Sequence, residues 1–402
     1  MNENNNAGVS QKFPMRPVAP LGVIAMRGCE EMGKRVTDYL MNWQSDAVTT
    51  DERLHSFFGA EASGFLLDAH CPRFGTGEGK GMLVNSVRGY DLYIICDVGA
   101  YQCTYKLYGK EIPMTPDEHY ADLKRIIAAV SGKAYRINVI MPMLYEGRQH
   151  RRTARESMDC AVMLQELVSM GVSNIITFDA HDPRVQNAIP LSGFESIMPT
   201  YQMLKAMCHT YDDLKIDKEH MMVISPDEGA IGRNIYYSSA MGVDLGMFYK
   251  RRDYTRVVNG RNPIVAHEYM GESVEGKDVL IADDILATGD SMLDLARELK
   301  RRKCGRIFMA TTFAMFTNGI DVFKKAYEEG LFDYILATNL SYLRPELRDQ
   351  PWFIEVDMSK YIALIIATLN HDRSISPLLN PLQRIQKLLT RHRAALMEQD
   401  IK

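Results

Sequence analysis

The segment at residues 279–291, VLIADDILATGDS, constrains the fold more than any other part of the chain. An apolar run leads directly into two adjacent aspartates, Asp283 and Asp284, and a short loop then opens an amphipathic stretch. The apolar run predicts a strand buried on both faces, and the amphipathic stretch predicts a helix that covers it. The segment therefore predicts a βαβ unit of a parallel sheet, with the acids and the loop at the carboxyl edge, where such sheets bind ligands.

The loop of this segment predicts a site for a sugar phosphate. Backbone N–H groups of the loop and of the helix N-terminus favour an anion, and the hydroxyls of Thr288 and Ser291, on either side of Gly289, add donors. The carboxylates of Asp283 and Asp284 can accept hydrogen bonds from a vicinal diol. A ribose that carries a 5-phosphate satisfies both halves of the segment. The structural alternative is a strand end with solvated acids and Ser291 as a helix cap.

Similar patterns recur along the chain. Candidate strands lie at residues 92–96, 138–144, 174–179, 221–225, 279–282, 306–311 and 334–338, and candidate helices at 117–130, 154–170 and 291–302. Their alternation predicts an α/β fold with two series of βαβ units, divided near residue 198. We expect a disordered tail at residues 1–16, an N-terminal α/β domain at 17–198 and a second at 199–356. At 357–402 we expect a segment that packs back, with a helical extension.

Composition excludes several classes of protein. The chain has 402 residues, 46% hydrophobic and 24% charged, which is typical of a globular protein of two or three domains. A formal net charge of -4 argues against a general nucleic-acid binder. Seven cysteines without C-x-x-C spacing indicate neither a zinc site nor a disulfide framework, and they suit a reducing cytoplasm. The longest apolar stretch, at residues 361–369, is too short to cross a bilayer, so we expect no membrane contact.

Segment 279–291 is accompanied by other short motifs along the chain. They are FGTGE at 74–78, VRGYD at 87–91, RQHRR at 148–152, DAH at 179–181, SPDEGAIGR at 225–233, KRR at 250–252 and SIS at 374–376. Segment 279–291 resembles the ribose-phosphate loop of the type I phosphoribosyltransferase fold, and the other motifs resemble those of ribose-phosphate pyrophosphokinases (phosphoribosyl diphosphate synthetases), in the family's order from about residue 20 to about residue 380. The resemblance implies two tandem type I phosphoribosyltransferase-like domains, each with a mostly parallel sheet flanked by helices.

The resemblance also implies a reaction. The diphosphoryl group of ATP moves to the 1-hydroxyl of ribose 5-phosphate, giving phosphoribosyl diphosphate and AMP. Such a transfer depends on positioning and on charge neutralisation. The implied cofactor is Mg²⁺, held by His181 and Asp227, and the implied catalytic cations are Lys250 and Arg252. The alternatives for these residues are a core histidine and a solvated basic turn.

Further roles follow from the same resemblance. The resemblance assigns ATP binding to Phe74, Glu78, Arg148, Gln149 and Arg151. It assigns ribose 5-phosphate binding to Asp283, Asp284, Thr288, Gly289 and Ser291. The implied diphosphate loop consists of Asp227, Gly229, Gly232 and Arg233. Phe74 would stack on adenine, with simple core packing as its alternative. In the family the loop at residues 74–78 comes from a neighbouring subunit. The resemblance therefore implies a homo-oligomer built from dimers, with a hexamer as the larger form. The alternative for the arginines near 148 is a nucleic-acid patch, which the negative net charge disfavours.

The chain departs from the family's pattern inside several motifs, at Thr76, His150, Asp182, Glu228, Ala230, Ala287 and Asp290. His150 stands in place of an aspartate, and Asp290 stands where a small residue lines the phosphate loop. The leading interpretation is an active ribose-phosphate pyrophosphokinase. The departures motivate a second, a non-catalytic regulatory paralogue within a synthetase complex. The sugar-phosphate loop alone motivates a third, a phosphoribosyltransferase.

Overall fold

Two mostly parallel sheets organise the chain in this computed structural model, which describes residues 17–50, 64–252 and 264–400. The elements of the first half are β1 (Leu21–Ala25), α1 (Glu30–Thr50), β2 (Ala69–His70), β3 (Met82–Leu83), β4 (Asp91–Ile95), β5 (Thr104–Leu107), β6 (Lys110–Pro113), α2 (Pro116–Val130), β7 (Arg136–Ile140), α3 (Asp159–Ser169), β8 (Val172–Phe178) and β9 (Gly193–Ile197). Those of the second half are α4 (Thr200–Thr210), β10 (Met221–Ser225), α5 (Ile231–Met241), β11 (Asp244–Arg252), β12 (Ile264–Met270), β13 (Asp278–Leu286), α6 (Asp290–Arg301), β14 (Ile307–Ala314), α7 (Asp321–Glu328), β15 (Tyr334–Thr338), β16 (Phe353–Val356), α8 (Ser359–Asn370), α9 (Ser376–Leu379) and α10 (Leu382–Asp400). The expected tail at residues 1–16 lies outside the described residues.

The first sheet has the strand order β1-β4-β7-β8-β9, and all its neighbouring strands are parallel. Because side chains alternate along a strand, each strand contributes to two different cores. In β1, Ile24 packs into the cluster that holds Leu123 of α2 and Leu164 of α3. Its neighbour Val23 packs into a second cluster, which includes Ile362 of α8. Both faces of the sheet are therefore covered, as its apolar strands require.

The second sheet has the order β12-β11-β10-β13-β14-β15-β16, and only the β11–β12 pair is antiparallel. From β10 the chain turns to one side to form β11, and it later returns on the other side of β10 as β13. This reversal makes a topological switch point between β10 and β13, the place where open parallel sheets bind ligands. The fold thus brings the loops that follow these two strands to one crevice.

A group of hydrogen bonds joins the end of α8 to the first sheet. The buried Asp91 accepts hydrogen bonds from Nε of Arg136 at 2.8 Å and from Nδ2 of Asn370 at 3.0 Å. Arg136 also donates from Nη2 to the carbonyl of Leu369 at 3.0 Å. These contacts of the helix end with a buried ion pair explain how a late element of the chain packs onto the first sheet. Helix α10 packs on α4 and α5, where Nε2 of His392 donates to the carbonyl of Leu214 at 2.8 Å.

The structure confirms the α/β class with mostly parallel sheets, and β10 and β15 have the predicted bounds. The predicted strand at 138–144 is too long, because β7 ends before Pro142, which lacks an N–H for the ladder. The predicted helix at 154–170 starts too early, since α3 begins only at Asp159. The domain bounds near 198 and 356 stay predictions. Among the described residues, no helix is long and apolar enough to span a bilayer.

Candidate active site

The end of β8 presents two polar side chains in different environments. Asp179 has a left-handed backbone, with φ at 45°, which is uncommon for a residue other than glycine, and its side chain is buried. Its two carboxylate oxygens each lie 2.9 Å from Nε of Arg233, and one accepts from the hydroxyl of Thr312 at 2.6 Å. Arg233 lies on α5 and Thr312 on β14. Asp179 therefore fastens the end of β8 to the second sheet, and His181, two residues on, has 38% of its side chain exposed.

The acid pair of β13 reaches the same place. Oδ2 of Asp284 lies 2.7 Å from Nδ1 of His181. The guanidinium of Arg233 lies 3.3 Å from Oδ1 of Asp283 and 3.7 Å from Oδ1 of Asp284, and only 8% of that side chain is exposed. The structure thus brings together four residues that the sequence had assigned to ribose, metal and diphosphate. The guanidinium is occupied by carboxylates, so its contact to a diphosphate stays a prediction.

The surroundings of the two aspartates separate their pKa values. Burial and the neighbouring carboxylate of Asp284 raise the pKa of Asp283 well above its usual range. Burial would also raise the pKa of Asp284, but the hydrogen bond from His181 and the charge of Arg233 outweigh it and lower that pKa. The bond to Asp284 in turn raises the pKa of His181. The two neighbouring carboxyl groups thus differ in how readily each loses its proton, and both can hydrogen-bond to hydroxyl groups of a ligand.

The loop after β13 is shaped by Gly289. Its φ is 85°, and a Cβ at this position would lie 2.0 Å from Cζ of Phe323, so only glycine fits. Thr288, Asp290 and Ser291 are exposed around it, at the N-terminus of α6. The predicted phosphate-binding hydroxyls are therefore accessible, and the Asp290 carboxylate stands beside them at the helix end that favours an anion.

The loop after β10 lies across the switch point from the acid pair. Oδ1 of Asp227 accepts the backbone N–H of Gly229 at 3.0 Å, which folds the loop into the start of α5. Asn234 holds this helix to β13, because its Nδ2 donates to the carbonyl of Ala282 at 2.9 Å and its Oδ1 accepts from the Ala282 N–H at 3.2 Å. A Cβ at Gly232 would meet no described atom within 4 Å. That face of the diphosphate loop is open to a ligand.

A cavity of about 340 Å³ connects the two halves of the chain. Arg148 from the loop after β7, His181 from the end of β8 and Asp284 from β13 all line it. The volume falls within the range of small-molecule sites. Gln149 and Arg151 lie next to Arg148 in sequence but outside the lining, and Arg151 is exposed. Of the residues predicted to bind ATP, the structure thus places Arg148 in the cavity with His181 and Asp284.

Phe74 and Glu78 lie on an exposed turn outside this cavity. The Phe74 N–H donates to the carbonyl of Glu78 at 2.8 Å, and Phe74 is 56% exposed, so its core-packing alternative is wrong. The base of the turn is fixed by the buried Arg73, whose Nη1 and Nη2 lie 2.7 Å and 2.9 Å from the two oxygens of Asp122. An exposed aromatic side chain on a rigid turn suits contact with another molecule, and the stacking role stays a prediction.

Lys250 and Arg252 lie near the end of β11, which pairs with β12 at the edge of the second sheet. Their side chains lie outside the described part of the structure, so their catalytic role stays a prediction.

The residues near His181 fit a metal that keeps few protein ligands. Within the described ranges, no three His, Cys, Asp or Glu side chains are grouped closely enough to hold a metal ion by themselves. With Nδ1 of His181 bonded to Asp284, Nε2 is the nitrogen that remains for a ligand, and a carboxylate partner of this kind orients metal-binding imidazoles. Mg²⁺ is commonly held by one or two side chains together with phosphate oxygens and water. His181 fits that pattern, and the metal role of Asp227 stays a prediction.

A second cavity, of about 410 Å³, lies on the other side of residues 97–101. Charged groups on its rim face one another: Arg35 lies 2.5 Å from Glu31, and Arg348 lies 3.7 Å from Glu355. At its base the buried Asp97 accepts hydrogen bonds from the second half of the chain, and burial raises the pKa of Asp97 to about 6. Asp284 and His181 line the smaller cavity and not this one, so the predicted ribose and metal residues point to the smaller cavity.

Sequence reasoning assigned no role to Asp179 or Thr312, which hold the two halves together at the site. The position of Thr312, near the carboxyl end of an apolar strand, was a signal that could have found it. Asp179 gave a weaker signal, since its partner Arg233 lies far away in sequence. The contact between His150 and Asp182, which lie 3.5 Å apart, was also unforeseen, although both positions had been noted as departures.

Comparisons with known proteins agree with the geometry. Residues 21–171 match the family model for the N-terminal domain of ribose phosphate pyrophosphokinase, and residues 198–329 match the phosphoribosyl transferase domain. The ribose-phosphate pyrophosphokinase of Vibrio cholerae is 27% identical over 319 residues, 78% of this chain and 92% of that protein. That of Mycoplasma genitalium is 23% identical over 331 residues, 82% of this chain and 95% of that protein.

A solved structure supports the fold. The crystal structure of phosphoribosylpyrophosphate synthetase from Mycobacterium smegmatis matches with a TM-score of 0.69 and 18% identity, covering 88% of this chain and 99% of that one. At this level of identity the likeness bears on the fold alone. It agrees with two α/β units in tandem, as the sequence predicted.

Proposed function

Since the chain belongs to the ribose-phosphate pyrophosphokinase family, we propose that it transfers the diphosphoryl group of ATP to the 1-hydroxyl of ribose 5-phosphate. The products are phosphoribosyl diphosphate and AMP. One observation carries the proposal: the acid pair of β13 contacts His181 and Arg233 at the switch point, and Asp284 and His181 line one cavity with Arg148. A sugar-phosphate loop, a metal-site histidine and a phosphate-binding arginine are what this reaction needs in one place.

The acid pair would hold the ribose hydroxyls. The carboxyl oxygens of Asp283 and Asp284 would accept hydrogen bonds from two ribose hydroxyls, so the two side chains would recognise a vicinal diol. Thr288, Gly289 and Ser291 would bind the 5-phosphate through hydroxyl and backbone N–H groups at the N-terminus of α6.

The nucleotide would enter the cavity from the side of Arg148. Arg148 can make paired hydrogen bonds to phosphate. Gln149, Arg151 and the turn with Phe74 and Glu78 from a neighbouring subunit would hold the rest of ATP. Lys250 and Arg252 would stabilise the charge that develops on the transferring phosphates. His181 and Asp227 would hold Mg²⁺, which supplies further neutralisation of phosphate charge when it is bound.

The exposed turn at Phe74 supports a homo-oligomer, in which Phe74 and Glu78 of one subunit complete the adenine site of another. We propose a dimer as the smallest active form. A location in the cytoplasm is consistent with seven cysteines that are all free thiols.

Turnover with defined substrates tests the proposal. The protein is incubated with ATP, ribose 5-phosphate and Mg²⁺, and phosphorus NMR follows the products, with parallel reactions that contain GTP or CTP. The expected result is AMP together with a phosphoribosyl diphosphate signal. Nucleotide binding without turnover would instead indicate a regulatory paralogue, and diphosphate release that requires a purine or pyrimidine base would indicate a phosphoribosyltransferase.

A further inference from the structure

His150 contacts the proposed metal ligand and a carboxylate that follows that ligand in sequence. Nε2 of His150 lies 3.5 Å from Oδ2 of Asp182, and its ring centroid lies 5.4 Å from that of His181, with 53° between the rings. Only 13% of the His150 side chain is exposed. His150 is thus packed into the site rather than left on the surface with the arginines around it.

Asp182 is itself held in place by Arg184. Oδ1 of Asp182 accepts the backbone N–H of Arg184 at 3.0 Å and its Nε at 2.9 Å. Oδ2, the oxygen that faces His150, accepts from Nη2 of Arg184 at 2.5 Å, so the guanidinium contacts both oxygens of the carboxylate. The imidazole of His150 thus faces, on one side, a carboxylate that is already hydrogen-bonded.

His181 is contacted on two sides. Asp284 bonds to Nδ1 at 2.7 Å, and the His150 ring packs against the imidazole. Rotation of the His181 ring would break the first contact or collide with the second. The direction in which Nε2 points is thereby fixed, and groups that orient a metal-binding histidine in this way affect metal affinity.

We propose that His150 is a positioning residue that holds the His181 ring for metal binding. His150 would also link that ring to Arg148 and Gln149, the residues proposed to bind ATP. This inference rests on the proposed function, since it concerns the Mg²⁺ site. His150 directly follows Arg148 and Gln149, so one loop would contact both the nucleotide and the metal-binding histidine. An aspartate at position 150 would face the Asp182 carboxylate and repel it, so the histidine and that carboxylate fit each other as a pair.

The test measures metal affinity apart from turnover. Mn²⁺ binding to the full-length protein is measured by electron paramagnetic resonance, with a non-hydrolysable ATP analogue present, for wild type and His150→Ala. We expect the Kd for Mn²⁺ to rise about tenfold, the lower end of the effect of such orienting groups. Asp182→Asn should raise the Kd for Mn²⁺ less than His150→Ala does. The double variant should bind Mn²⁺ no more weakly than His150→Ala, because both substitutions remove the same contact. The matched control is His220→Ala, which removes an exposed histidine that lies 2.8 Å from Asp217, outside the site.

The outcomes separate this inference from the proposed function. An Mn²⁺ Kd for His150→Ala equal to that of His220→Ala would overturn the positioning role, even if the wild type turns over. So would a wild type that binds no Mn²⁺, or strictly additive effects of the two substitutions. A wild type without turnover, with a weakened Mn²⁺ site in the variant, would defeat the proposed reaction and leave the positioning role standing. If His150→Ala does not fold, as judged by circular dichroism, Asp182→Asn alone decides, and an unchanged Kd contradicts the inference.

Discussion

Arg233→Met tests whether one buried cation holds the site together. Arg233 is almost completely buried and compensates Asp179, Asp283 and Asp284, which approach it from both halves of the chain. Methionine keeps most of the side-chain volume but leaves these carboxylates without their cation. Removing one partner of a buried ion pair costs about 3–5 kcal/mol, and we expect a loss of that size here.

The expected change in melting temperature follows from the size of the protein. At about 2.1 cal/mol/K per residue, 402 residues give an unfolding entropy of about 0.8 kcal/mol/K, so the loss corresponds to about 4–6 °C. The exposed control Arg301→Met, which removes a surface pair with Glu298 on α6, should change stability by less than about 1 kcal/mol. Differential scanning calorimetry on both variants measures these shifts.

The loss of stability of Arg233→Met relative to wild type should depend on pH in a defined direction. Burial already raises the pKa of Asp179, and removal of Arg233 raises it further, because the charge that lowers it is lost. A carboxyl whose folded pKa exceeds its unfolded value stabilises the protein at low pH, and this contribution is lost as pH rises through the folded pKa. The deficit of Arg233→Met should therefore grow as pH rises from about 4, the unfolded value. A deficit that matches Arg301→Met, or that shrinks as pH rises, would refute the role of Arg233.

Three further substitutions test the site and its scaffold. Lys250→Ala should lower turnover on the order of a hundredfold, through loss of a transition-state charge contact, with an unchanged melting temperature; unchanged turnover would remove Lys250 from the mechanism. Asp283→Asn should mainly raise the KM for ribose 5-phosphate, and an unchanged KM in steady-state kinetics would contradict the diol role. Gly289→Ala should destabilise the protein by more than about 2 kcal/mol, because Cβ adds a clash with Phe323 to the left-handed backbone cost of about 1–2 kcal/mol. The control is Gly319→Ala, at a position with φ of 83° and open space around it. Urea unfolding should show only the backbone cost for this control. Equal losses of unfolding free energy in the two variants would contradict the clash with Phe323.

Local sequence patterns were enough to predict the central strands but not their ends. The apolar run at 279–282 correctly predicted a buried strand, yet β13 continues through the acid pair to Leu286. It does so because β14 offers pairing partners that far, with Ile285 opposite Phe313 and Leu286 opposite Ala314. A sequence window that contains two aspartates gives no sign of this, since the pairing partner lies on another segment.

The polar contacts of the site were less predictable than its residues. The motif residues Asp284 and His181 were each predicted as site residues, but nothing local in the sequence indicates that they contact each other across a hundred residues of chain. The same holds for Asp179 and Arg233, whose contact depends on how the two sheets pack. Sequence patterns thus predict which residues lie at strand ends, and tertiary packing decides which of them meet.

The most direct test of the central claim is a crystal structure of the protein with ribose 5-phosphate, Mg²⁺ and a non-hydrolysable ATP analogue. We predict that the ribose hydroxyls lie within hydrogen-bonding distance of Asp283 and Asp284, and that the 5-phosphate lies on the N–H groups of residues 288–291. A sugar phosphate bound elsewhere, such as in the larger cavity beside Asp97, with the β13 loop empty and Asp290 folded over it, would contradict the claim.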